Sequence, residues 1–479
     1  MTRLRLWLRP IVFLGHNPIT LLGAILTTAS ALTMVGFWAL EVLQLRPVQP
    51  YSGIILFLVL PGVFVAGLLL MPAGLLRERA RLRKAGTLPE SYPQIDLSLP
   101  ALRRGLTLVG SATVLNVVIL STASYKGVEH MDSVQFCGMT CHSVMAPEYT
   151  AYLNSPHSRV ACVQCHIGAG ASWFVRSKLS GTRQLFAVTF GTHSRPIPSP
   201  VKHLRPARET CEQCHWPQKF HGDKFLVRTK YADDEQNTPS TSVLVLKIGG
   251  RSWQGSTGIH GRHLDSQARI TYLATGGRRQ VIPKVSYLDD NGKTVEFESS
   301  EVKPTPEELA KGERRSMDCM DCHNRPSHTF EMPERAVDRA MASGAIHPEL
   351  PFVKKKAVEL LRAEYPDRKT AERRIPDELS AFYKEKYPAA YAAHRAAVET
   401  AGQQIAAIYL RNVFPEMKVT WGTYPNNIGH EDFLGCFRCH DDNHKSRDGR
   451  TITQDCNACH TVLAMDESNP KVLADLGLK

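Results

Sequence analysis

All 12 cysteines of this 479-residue chain fall into six pairs, and a histidine directly follows the second cysteine of each pair. The pairs are Cys137/Cys141-His142, Cys162/Cys165-His166, Cys211/Cys214-His215, Cys319/Cys322-His323, Cys436/Cys439-His440 and Cys456/Cys459-His460. Five read CxxCH and the first reads CxxxCH. Two thiols at this spacing reach the two vinyl groups of one porphyrin while the adjacent imidazole turns to the iron, which is covalent c-type haem attachment. Tetrahedral zinc would pair CxxC units with one another and would not require a histidine after each. A disulfide framework would not enforce the two-residue gap. Six covalently bound haems are therefore expected, the first through a loop one residue longer than the others.

Each iron takes an axial ligand from its motif and usually a second from elsewhere. Of the 19 histidines, 13 lie outside the motifs. His328, five residues beyond His323, and His444, four beyond His440, are held near a haem by the covalent chain. His157 precedes the second motif by five residues, and His430 precedes the fifth by six. His260 and His263 form an isolated pair, and at least one of them is expected to reach across to an iron. His130, His203 and His221 rank behind these, whereas His193, His347 and His394 read as ordinary surface residues. Met145 lies three residues after His142. Its thioether either ligates the first iron, which would raise that haem's potential above a bis-histidine one, or packs against the porphyrin.

These ligands need a scaffold, and its first part is apolar. Runs over about 19–40, 53–76 and 105–123 approach the length of a bilayer crossing, which predicts a three-helix transmembrane anchor over 1–124. The first run continues past the cleavage-like Ala29-Ser30-Ala31 to Leu40, which the short core of a cleaved signal peptide would not do. Arg3, Arg5 and Arg9 precede the first run, and Arg77, Arg79, Arg81, Arg83, Lys84, Arg103 and Arg104 separate the second from the third. The positive-inside rule puts the N-terminus in the cytoplasm and the motifs on the periplasmic side of the inner membrane.

The remainder is expected to be mainly α with much haem-wrapped loop. A haem domain over 125–235 would carry motifs one to three, and a small β insertion would fill 236–305. A helical haem domain over 306–479 would carry motifs four to six, with Pro348, Pro351, Pro366, Pro376 and Pro388 as breaks. Between residues 173 and 190, apolar side chains alternate with Arg176, Lys178 and Arg183. This segment is either an amphipathic helix on the membrane surface or a partly buried helix of the haem domain.

The chain's formal charge is +12. Residues 1–124 hold 11 Lys and Arg against four Asp and Glu, a net +7 that leaves +5 for the rest. Six haems bring roughly two propionates each, which outweighs that surplus. Nucleic-acid binding is therefore not expected.

The stretch Cys141-His142-Ser143-Val144-Met145-Ala146-Pro147-Glu148-Tyr149, followed by Ser155-Pro156-His157 and Cys162-Val163-Gln164-Cys165-His166, resembles the NapC/NirT family of membrane-anchored multihaem quinol dehydrogenases. The likeness extends through Thr210-Cys211-Glu212-Gln213-Cys214-His215. It implies that electrons come from menaquinol or ubiquinol in the membrane and leave for a periplasmic reductase or carrier protein. It also implies that Met145 takes the place of His142 at the first iron, and that Lys178 belongs to the quinol site. Three features depart from the family: the CxxxCH motif, three spans where one is usual, and the long C-terminal extension. Quinol gives up two electrons and two protons while a haem accepts one electron, so the site needs a base as well as a second haem nearby. Lys178, Glu148 and Asp132 are the candidates. Two other readings are an electron conduit fed by a separate membrane subunit, and a terminal reductase. No motif replaces its histidine by lysine, which speaks against the latter.

Overall fold

The computed structural model describes residues 9–42, 59–92, 100–140, 142–168, 171–201, 204–216, 222–252, 255–264, 269–289 and 291–478. They form two compact units, Met1–Thr140 and Cys141–Lys479.

In the first unit, α1 (Pro18–Val42) packs along α2 (Leu60–Lys84). Asn17 starts α1 by accepting the backbone N–H of Thr20 at 3.0 Å, with proline at the first helical position. Small residues let the two backbones approach: a Cβ on Gly67 would lie 2.4 Å from Thr27 Oγ1, and one on Gly74 2.4 Å from Thr20 Oγ1. Phe64 is fully buried against Ala31 and Met34, while Leu21, Leu22, Ile25, Leu32, Leu69 and Leu76 face outward. A helix pair with small residues inside and large apolar residues outside is built for lipid.

Both α1 and α2 are long and apolar enough to cross a membrane. The expected second span, 53–76, begins outside the described residues. The third expected span, 105–123, lies within a 32-residue helix, α3 (Pro100–Met131), several of whose side chains are outside the described residues. Among the described residues the anchor thus has two candidate spans where three were expected. Past α3 the chain makes one π-helical turn, Phe136–Thr140. Such a turn takes up one additional residue, and it falls on the motif whose loop is one residue longer.

The second unit opens with the helices α4 (His142–Leu153), α5 (Cys162–His166), α6 (Ala171–Thr189) and α7 (Ala207–Cys211). β1 (Lys224–Tyr231) and β2 (Pro239–Leu246) then pair antiparallel. After the hairpin β3 (Gly250–Ser252) and β4 (Gly255–Thr257) comes a seven-residue helix, α8 (Gly258–Leu264). β5 (Ile270–Thr275), β6 (Val281–Leu288) and β7 (Thr294–Ser299) form an antiparallel meander. Beyond α9 (Pro306–Lys311), β8 (Glu313–Ser316) adds to the edge of β5. The β region is not self-contained, because two strands close to the C-terminus complete its sheets. β9 (His444–Ser446) pairs with β7, and β10 (His460–Glu467) pairs with β2.

Between α10 (Cys319–Cys322) and the fifth motif, five helices bury a continuous apolar core: α11 (Pro333–Ala342), α12 (Val353–Arg362), α13 (Arg368–Lys386), α14 (Pro388–Ala393) and α15 (Arg395–Asn412). Pro376 was expected to break a helix but lies inside α13. Gly402 of α15 sits against it, where a Cβ would come within 2.8 Å of the proline Cα. Close packing against α15 holds the turn that the missing N–H weakens. A buried ion pair fastens this bundle to β1. Lys354 bonds Asp338 and donates to Glu334 O at 2.6 Å, and Asp338 accepts the backbone N–H of Tyr231 at 3.1 Å. Lys354→Met strands that carboxylate and is expected to cost about 3 kcal/mol or more, measured as a fall in the thermal midpoint by circular dichroism.

Candidate haem centres

In all five regular motifs the histidine faces a second histidine. His166 stands opposite His328 with ring centres 6.1 Å apart, His215 opposite His157 at 5.9 Å, and His323 opposite His260 at 6.4 Å. His440 faces His263 at 5.8 Å, and His460 faces His430 at 6.3 Å. Two iron–imidazole bonds of roughly 2 Å, each continued by roughly 1.1 Å to the ring centre, set coaxial rings roughly 6 Å apart. The residues present therefore fit bis-histidine haem.

Their tautomers fit as well. Nδ1 of His328 points at Glu148 O at 3.0 Å, that of His263 at Ile259 O at 2.8 Å, that of His440 at Thr453 O at 2.9 Å, and that of His157 at Pro326 O at 3.3 Å. A carbonyl only accepts, so each Nδ1 carries the proton and Nε2 keeps its lone pair for a metal. Burial lowers the proton affinity of His260, His263 and His328, which favours the neutral imidazole that a metal requires. Ring spacing alone is not diagnostic. His347 and His394 also face each other at 6.4 Å, but both are exposed and no cysteine pair adjoins them.

The short helix α8 supplies two of these rings. It starts at Gly258 with φ +67°, where a Cβ would meet Lys247 O at 2.5 Å, so only glycine turns the chain there without strain. Ile259 N and His260 N then donate to Lys247 O and Ile248 O, at 2.8 and 2.9 Å. One turn of helix separates His260 from His263, and they address two different motif histidines.

The motifs also lie in a row. The Cys165 thiol is within electrostatic reach of Cys214, and Cys211 shares a hydrogen bond with Cys319. Cys322 lies near Cys436, and Cys436 near Cys459. Burial pushes the Cys322 and Cys439 thiols up to about 12. Motifs two to six are thus neighbours in space in the order they have in the sequence.

Three expected site residues need correction or qualification. His444 is fully buried, but Nδ1 is bonded to Asp441 at 2.8 Å and Nε2 to Ile282 O at 2.7 Å, which leaves no ring nitrogen for iron. It pins β9 to β6 instead. The carboxylate of Glu148 is held by both of its oxygens on Arg325, at 3.0 and 2.8 Å, and is not a free base. Lys178 lies on α6, but its side chain is outside the described residues.

Asp132 is half-buried directly after α3, and His130 packs its ring edge-on against Phe136 at 5.5 Å. Met145 is half-buried on α4; that helix begins at His142, whose side chain is outside the described residues. Cys141, His203 and His221 also lie outside them. His193 accepts from Arg195 at 3.1 Å. Sequence reasoning missed Arg325, although its position between His323 and His328 was a usable signal.

Residues 100–196 match the NapC/NirT cytochrome c family, N-terminal region. Over 456 residues the chain is 41% identical to the cytochrome c-type protein ImcH of Geobacter sulfurreducens, covering 95% of this chain and 89% of ImcH. A shorter match, 27% identical over 112 residues, relates 23% of this chain to 63% of the cytochrome c-type protein NrfH of Wolinella succinogenes. No solved structure matches. With the attachment motifs, the facing histidines and the apolar N-terminal helices, these likenesses establish that the chain belongs to the NapC/NirT family of membrane-anchored cytochromes c, which carry covalently bound c-type haem and serve electron transfer.

Proposed function

We propose that this protein is a hexahaem quinol dehydrogenase of the inner membrane, with its N-terminus in the cytoplasm and its haem domain in the periplasm. It draws electrons from menaquinol or ubiquinol and delivers them to a periplasmic reductase or electron carrier. The observation that carries this reading is the contiguous row of five motifs whose histidines are each faced by a second histidine at 5.8–6.4 Å. The bound haems supply reversible one-electron transfer. Closing each of these irons on both sides suits relay and disfavours terminal reduction, which needs an open position.

Membrane proximity of the intake end is supported by α6. Leu179, Phe186 and Phe190 share one face and are 69%, 58% and 71% exposed, while Val188 on another face packs into the second unit's core. A helix anchored on one side with large apolar groups on the other suits the membrane surface. α3 is the third crossing in this reading. Lys178 and Asp132 are the proposed proton acceptors, His142 or Met145 the ligand of the first iron, and the last two motifs the exit.

A second reading, a conduit fed by another membrane subunit, is favoured by the commitment of Glu148 to Arg325, which removes one of three candidate bases. Anaerobic mixing of purified protein with a menaquinol analogue, followed at the haem bands, tests the choice. Reduction without any added subunit is expected. Haems that stay oxidised until another subunit is supplied would overturn quinol oxidation and leave the conduit.

A further inference from the structure

The loop after α10 carries a buried arginine that touches neither a motif cysteine nor a facing pair of rings directly. Arg325 is 7% exposed. Its guanidinium lies over the rings of Tyr424 at 4.1 Å and Phe330 at 5.3 Å, and those rings stack on each other. Nε donates to His328 O at 2.6 Å, one terminal nitrogen donates to Ser199 Oγ at 3.3 Å, and the other grips both oxygens of Glu148. Every edge of the fork is used. Glu148, on α4, meets His328 twice: its carbonyl accepts from Nδ1 at 3.0 Å, and its carboxylate oxygen lies 3.3 Å from the same nitrogen. The backbone oxygen and the ring of His328 are therefore held from opposite ends of one ion pair.

From this geometry we infer that the Glu148–Arg325 pair is a positioning device for the second haem's distal ligand: it fixes the His328 tautomer with Nε2 toward the iron and sets that haem's potential through two opposed buried charges. The inference rests on the ligation of that haem by His166 and His328. The physical argument is one of sign. A carboxylate beside the Nδ1–H makes the imidazole a stronger donor and favours the oxidised iron, while a guanidinium behind it favours the reduced iron. Paired, they nearly cancel; removing either charge exposes the other in a poorly solvated site. The pair also ties α4, which begins at the first motif's histidine, to the second haem's ligand. Those are the first two stations of the proposed relay.

The test is potentiometry of the haem-loaded protein monitored by electron paramagnetic resonance, on Glu148→Gln, Arg325→Gln and His328→Ala. In Glu148→Gln the second haem's reduced-to-oxidised ratio at a fixed potential is expected to rise about tenfold, about 59 mV for a one-electron couple. In Arg325→Gln it is expected to fall by a similar factor, with the low-spin signal kept in both. Opposite signs are what a merely structural role would not produce. Shifts in the same direction, or no shift in Glu148→Gln, overturn the inference. Should Arg325→Gln fail to accumulate, the near-isosteric Glu148→Gln decides alone. His328→Ala separates the two levels: it is expected to turn one haem high-spin. An unchanged spectrum there sinks the ligation by His328 itself, whereas a high-spin haem alongside an unmoved Glu148→Gln potential sinks only the ion pair's role.

Discussion

Replacing Cys137 and Cys141 together by alanine is expected to lower covalently bound haem from six to five per chain and to abolish reduction by a menaquinol analogue, while dithionite still reduces the remaining five. The expectation follows from where the irregular motif lies. Residue Cys137 stands in the π-helical turn Phe136–Thr140, so the additional residue between the two cysteines is absorbed as one wider turn and does not disturb the flanking helices. Ser133 Oγ accepts the N–H of Phe136 at 3.1 Å and fixes the start of that turn. The attachment chemistry asks only that both thiols reach their vinyl groups and that the following imidazole reach the iron. A wider turn changes the spacing by one residue without removing any of the three groups. The pyridine haemochrome assay on the wild-type protein reads the count directly. Five haems per chain before any substitution would mean that the longer loop carries none. The functional half of the prediction is separate: full quinol reduction in the double variant would move electron intake to another haem.

The candidate attachment sites were legible from one line of sequence because the chemistry fixes both residue type and spacing. The facing histidines were partly legible. His157, His328 and His430 stand out because covalent attachment keeps neighbouring chain close to a haem, and that same logic misled at His444. Proximity in sequence does not say which ring nitrogens are already engaged, and there Asp441 and the Ile282 carbonyl take both. Glu148 misled for a related reason. A carboxylate near the first motif reads as a base until its partner Arg325, 177 residues away in sequence, is seen to hold it. Long-range pairing of this kind has no periodic or local signature. Neither does the way β9 and β10 complete sheets begun more than 140 residues earlier, since edge pairing depends on tertiary approach more than on local propensity. The helical bundle was legible as helices from its Ala-rich, charge-rich pattern. Pro376 was misread because the packing against Gly402 that sustains its turn is a tertiary effect.

Helix α8 makes the second large prediction possible, because it presents two facing histidines from one turn. His263→Ala is expected to convert one haem, that of the fifth motif, from low-spin to high-spin, with added imidazole restoring the low-spin signal. His260→Ala is expected to do the same to the haem of the fourth motif. The two single variants test separate rings, but the helix itself is one body, held by the bonds of Ile259 and His260 to Lys247 and Ile248 and started by Gly258 at φ +67°. Gly258→Ala should therefore behave differently from either. Its Cβ would stand 2.5 Å from Lys247 O, and its backbone conformation costs a non-glycine residue about 1–2 kcal/mol. The helix must shift as a unit, so both haems are expected to show altered low-spin signals together, though no ligand has been removed. Since Lys247 N donates to Cys459 O at 2.8 Å, the same shift is expected to reach the sixth motif. The measurement is the low-spin spectrum of the loaded protein, set beside the rate at which an external acceptor reoxidises it. If Gly258→Ala perturbs one haem and leaves the other as in the wild type, the two ligands are held independently and α8 is not the common scaffold of the fourth and fifth centres.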